Sequence, residues 1–99
     1  FMEVVNMNYL IILNSSHQHH FEEVHKLICD YDASIRVNPS TWLIHTHYDA
    51  TIIRQHLTSI ISIHDSLLVF KIDQEHCFTN DLDLNDWLED IHNESAISL

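Results

Sequence analysis

The chain has no glycine, one proline and two cysteines in 99 residues. Without glycine there is no Gly-rich loop to cradle phosphates, which excludes a P-loop and a dinucleotide-binding fingerprint. Two-residue hairpin turns also lose the residue they usually require, so turns must be built from Asn, Asp, Ser and Pro39. Cys29 and Cys77 have neither CxxC spacing nor a metal-finger context. They read as two buried, reduced thiols of a cytosolic protein. No stretch approaches the ~20 apolar residues of a membrane span. The N-terminus lacks the basic start and apolar run of a signal peptide, so the expected location is cytoplasmic, with no membrane partner. Phe1 ahead of Met2 reads as a remnant, with the native start expected at Met2 or Met7.

Positive charge is scarce. Lys26, Arg36, Arg54 and Lys71 stand against fifteen Asp and Glu, for a net charge of −11. Proteins that track a phosphate backbone carry a basic patch, and these four cations are scattered along the sequence. Non-specific nucleic-acid binding is therefore not expected. The excess acid reads first as a solvated, soluble surface, and more sharply as an acidic face for a basic protein partner.

What is present is enough apolar sequence for a core, at 45% of residues, in one domain. A core of this size is modest, and a second subunit would support it. Met7 to Leu13 reads as a central strand, nearly all apolar. Polar residues 14–19 form a loop. From His20 to Tyr31, Phe21, Val24, Leu27, Ile28 and Tyr31 recur at helical spacing, with Glu22 and Glu23 expected in the first turn. Ala33–Val37 and Thr41–Thr46 read as a hairpin joined by Asn38-Pro39-Ser40.

Asp49 is placed to cap a second helix running to about Ser62, and Ser66–Ile72 reads as a fourth strand. The order strand, helix, strand, strand, helix, strand predicts an α+β ferredoxin-like βαββαβ fold with an antiparallel sheet. Right-handed crossovers bring strands one and four together. The core spans about 7–72. An acidic extension, 73–99, carries Leu82, Leu84, Trp87, Leu88 and Ile91 as the stripe of a short third helix starting near Asp83 or Asn85.

Several of these pieces resemble a known group. The strand Tyr9-Leu10-Ile11-Ile12-Leu13 ending at Asn14, the Ser40-Thr41-Trp42 start of strand three, Asp65-Ser66 opening strand four and the late Asp86-Trp87-Leu88 are similar to small SinR-like ferredoxin-like proteins. More distantly they resemble the small nuclease-like subunit of the CRISPR adaptation complex. The resemblance implies a homodimer. It also implies a divalent-metal site built on an Asp at the end of the first strand, where this chain has Asn14. A neutral amide is a poor ligand for a hard cation such as Mg²⁺. Asp65, at the start of a strand expected beside the first, is the nearest replacement. Its plainer reading is a turn former after the second helix. If the protein is a nuclease, Asn14 and Asp65 are the candidate positions and Mg²⁺ or Mn²⁺ the cofactor; otherwise no cofactor is expected.

Ten histidines are an enrichment. His45 and His47, two apart on a strand, share a face and could chelate zinc or nickel, with His56 or His64 as a third ligand. His17, His19 and His20 cluster in the first loop, where one could act as a general base, although no partner for them is evident. Titration of so many imidazoles would also move the net charge towards neutral on acidification. Trp42 and Trp87 read as core or interface residues rather than base-stacking platforms.

Three functions from different classes remain. The first is a dimeric protein without catalysis that binds another macromolecule. The second is a metal-dependent nuclease for RNA or DNA. The third is an acidic inhibitor of a defence system that mimics nucleic acid.

Overall fold

The computed structural model describes residues 6–72 and 82–97, and the side chains of 6–72 and 83–91. Seven elements follow in order: β1 Met7–Asn14, α1 Gln18–Ile28, β2 Ala33–Asn38, β3 Thr41–Thr46, α2 Ala50–Thr58, β4 Ser66–Ile72 and α3 Leu82–Ile97. The four strands form one sheet in the order β2-β3-β1-β4, every neighbouring pair antiparallel. This is the expected α+β ferredoxin-like arrangement with an added C-terminal helix. Cys77 and the start of the acidic extension, 73–81, lie outside the described residues.

Strand alternation sorts the side chains onto two faces. Tyr9, Ile11 and Leu13 of β1 and Trp42 and Ile44 of β3 point to one face. There they pack with Val24 and Ile28 of α1 and Ile53 and Leu57 of α2. Leu67 and Val69 of β4 close the edge of this cluster. On the opposite face Leu43 packs with Leu84 and Leu88 of α3, joined by Leu10, Ile35, Ile72 and Trp87. The acidic extension thus lays one apolar stripe on the sheet, and β1 is covered on both sides.

Trp42 is fully buried and its ring is held from two directions. Its Nε1–H donates to His25 Nδ1 at 3.1 Å, and the Arg36 guanidinium lies 5.2 Å from the ring centroid. Arg36 also bonds the Pro39 carbonyl at 2.7 Å and Glu22 at 3.2 Å, tying the hairpin to α1. The hairpin manages without glycine. Asn38 Oδ1 accepts from the Ser40 N–H and hydroxyl, each at 3.0 Å. No described residue has a positive φ, so the turn is not of the primed types, and a register shift between Arg36 and Asn38 absorbs the mismatch.

Three local expectations change. Helix α1 begins at Gln18, so Glu22 and Glu23 fall beyond its first turn. The earlier start follows from Ser15, whose Oγ accepts the His17 N–H at 3.1 Å and turns the chain into the helix. Helix α2 is capped as expected, Asp49 Oδ1 accepting from Ile52 N–H at 3.0 Å. It ends at Thr58 rather than near Ser62, where the Thr58 hydroxyl turns back onto the Arg54 carbonyl at 2.8 Å. Cys29 is exposed rather than buried, because it caps the C-terminus of α1.

Candidate functional site

The β1–α1 loop and the α2–β4 turn meet at one end of the sheet, because β1 and β4 are antiparallel neighbours. Asn14 stands opposite Ser66 in the register, so Asn14 and Asp65 share this end, as adjacency of the two strands requires. Asn14 is exposed.

Asp65 is differently placed. Its side chain is 1% exposed and its Oδ2 lies 2.6 Å from His20 Nδ1. The same oxygen accepts from the Ser62 N–H at 2.9 Å, and the Asp65 N–H donates to the Ser62 carbonyl at 3.0 Å. Asp65 therefore does shape the turn after α2, and it also reaches across to the first loop. Ser15 completes the group, its Oγ 3.1 Å from His20 Nδ1. Hydrogen bonds from Ser15, then from the Ser62 backbone and His20 together with the His20 charge, hold the Asp65 carboxyl below its ordinary range. They prevail over a desolvation that acts the other way.

Ser, His and Asp in contact invite comparison with a nucleophilic triad. In a triad the serine sits on one imidazole nitrogen and the carboxylate on the other, so that the ring can take the serine proton. Here both oxygens approach the same atom, Nδ1. Ser15 and Asp65 thus do not flank the ring on opposite nitrogens, which a proton relay from Ser15 through His20 would need. The group ties two loops together. His17 and His19 extend it outward, with ring centroids 5.0 and 4.3 Å from that of His20. The sequence suggested no partner for these histidines, and Asp65 overturns that for His20. The signal that could have found it was the β1–β4 adjacency, which places residue 65 beside the loop that follows Asn14.

His45 and His47 lie at the other end of the sheet, and their surroundings diverge. His45 is buried, with Nδ1 2.7 Å from Asn8 Oδ1. Since that oxygen only accepts, Nδ1 carries the proton. His47 lies beyond the end of β3, its Nδ1 3.0 Å from Asp32 Oδ2 and its ring against Tyr48 at 4.3 Å. Either ring could offer a metal only Nε2. Among the described residues no group of three or more His, Cys, Asp or Glu is placed to hold a metal ion.

His56 accepts or donates at Nδ1 with the Tyr31 hydroxyl, 3.0 Å away, and packs against Tyr48. Burial, with Tyr48 adding to it, pushes the Tyr31 phenol up to about 12. Like His25 under Trp42, His56 serves the packing.

The class defined so far is an α+β ferredoxin-like domain with a closed polar tie at one sheet end. The chain matches no protein-family model and no curated protein, so its own geometry carries the functional reading. Among the described residues no helix is long and apolar enough to cross a membrane.

Proposed function

We propose that this chain is a small, dimeric, catalytically silent protein of the SinR-like kind that acts in the cytoplasm by binding another macromolecule. The observation that carries this reading is the state of Asp65. Asp65 is the carboxylate that the β1–β4 register brings to the Asn14 end of the sheet, and its side chain is enclosed by Ser15, His20 and Ser62. Recruiting it to Mg²⁺ would mean breaking the His20 pair and exposing a buried turn. Asn14 brings no charge of its own, so it adds no anionic oxygen for a hard cation beside the enclosed Asp65.

The partner this surface fits is a basic protein. Asp83, Asp86, Glu89 and Asp90 of α3 are all exposed, and they lie on the side of the helix away from Leu84, Leu88 and Ile91. An acidic helix face of this kind attracts a cationic surface and accelerates its encounter.

The test is hydrolysis of single- and double-stranded RNA and DNA with Mg²⁺ and Mn²⁺, comparing the wild type with Asn14→Asp. The expected outcome is an inert wild type. Metal-dependent cleavage by rigorously purified wild type, lost in Asp65→Ala, would replace this reading with the nuclease.

A further inference from the structure

The two edges of the sheet differ. Exposed strand edges present unpaired backbone groups to other chains, and proteins usually guard them with charges, proline or bulges. The β2 edge is guarded in this way: a register shift lies between Arg36 and Asn38, Pro39 follows, and Arg36 braces the turn. The β4 edge is not. Ser66–Ile72 is seven residues long, without proline, with an unbroken register against β1 and with Lys71 as its only charge.

Its side chains are equally bare on the α3 face. Leu68 is 45% and Phe70 49% exposed. They stand beside Ile12 and Leu10 of β1, continuing the apolar row beyond the part that α3 covers. On the helix face, shallow grooves of about 400 and 310 Å³ run between α2 and β4, both lined by Arg54 and Leu67.

We propose that β4 pairs with β4 of a second copy, antiparallel across a two-fold axis at Val69, making one continuous eight-stranded sheet. The register is set by the exposed residues themselves. Across an axis at Val69, Leu68 stands opposite the partner's Phe70, and Phe70 opposite the partner's Leu68. Both pairs fall on the same face, so one patch complements itself, as a two-fold interface requires. Directly opposed apolar and aromatic side chains are the contacts that stabilise such pairs.

Charge favours the same occupant. Within Ser66–Ile72 the one charge is Lys71, with Arg54 of α2 beside the strand, so no carboxylate of one β4 faces a carboxylate of the other β4. Lys71 falls opposite the partner's Leu67, two residues from the partner's Asp65. Moving the axis by one residue shifts the pairing by two and keeps each pair on one face, but it sets Phe70 against the partner's Ser66, or Leu68 against the partner's Ile72, and the exchange of Leu68 with Phe70 is lost.

This inference rests on the dimeric part of the proposed function and adds where the copies meet. The test is molar mass by light scattering at two concentrations an order of magnitude apart, for wild type, Leu68→Lys and Phe70→Lys. Circular dichroism confirms that each variant is folded. The wild type is expected to approach twice 11.7 kDa at the higher concentration, and both variants to stay at the monomer mass. A wild type that stays monomeric overturns this inference and the dimeric reading together. A dimer that survives in both folded variants overturns only the β4 edge.

The register has its own check in a Cys29→Ser, Cys77→Ser background. Leu68→Cys with Phe70→Cys should form a covalent dimer on oxidation. Leu68→Cys alone should not, because diagonal positions lie roughly 7–8 Å apart, too far for the bond. Equal cross-linking by the single variant overturns the Val69 register.

Discussion

One sheet presents two unequal faces. On the side of α1 and α2, side chains from three strands and two helices meet in a dry cluster in which Tyr9, Ile11, Leu13, Trp42 and Ile44 are essentially inaccessible. On the side of α3 a single helix covers Leu43 and its neighbours, and Leu68 and Phe70 remain about half exposed. The strands are the same, so the difference lies in what covers them. Two helices fill the width of a four-stranded sheet and one does not. The first face holds the fold together, and the second leaves an apolar margin at Leu68 and Phe70 open to solvent.

Substitutions can break or sharpen this contrast. The largest effect belongs to Trp42→Ala, which opens a cavity in the dry cluster and strips His25 and Arg36 of their ring. Truncation of a buried Trp costs about 3–5 kcal/mol, a large share of the stability of a domain this size, and chemical denaturation will measure it. Leu88→Ala on the α3 face should cost less, about 2 kcal/mol at the low end for buried Leu, because its surroundings can collapse onto the cavity. Equal losses at the two sites would mean that the faces contribute alike.

The polar tie sharpens the comparison by pH. The Asp65 carboxyl is held below its ordinary value of 3.8, so the folded state binds that proton less readily than the unfolded chain. Its contribution is fully present above that ordinary value and fades as the pH falls through the lowered one. Asp65→Asn should melt below the wild type at neutral pH, and the gap should narrow on acidification below about pH 4. A gap that stays constant with pH would show that the loop tie does not depend on the carboxylate charge.

The smallest effect belongs to Phe70→Ser. Measured where the chain is monomeric, it should change stability by no more than about 0.5 kcal/mol, as for a surface site. A larger loss would place Phe70 in the core of the second face.

The elements were legible because each carries its period or cap: the alternation in Ser66–Ile72, the helical spacing of Val24 and Ile28, Asp49 ahead of Ile52. The helix boundaries were less so. Ser15 and Thr58 decide them through hydrogen bonds that compete with the helix, and such bonds leave little trace in apolar periodicity. Of the candidate site, the meeting of Asn14 and Asp65 followed from strand adjacency. The capture of Asp65 by His20 did not, since it depends on how two loops from distant parts of the chain close on each other.

The sequence by itself determined the order of elements, the antiparallel sheet and the absence of a Gly-rich phosphate loop, because periodicity and composition are local properties. Only the tertiary structure decided the rest. It set apart His45 and His47, which share a strand pattern but not an environment. It turned Cys29 outward, enclosed the Asp65 carboxylate and left Leu68 and Phe70 uncovered. Burial and pairing are properties of neighbours in space, and those neighbours are fixed when the loops close and the helices come to rest on the sheet.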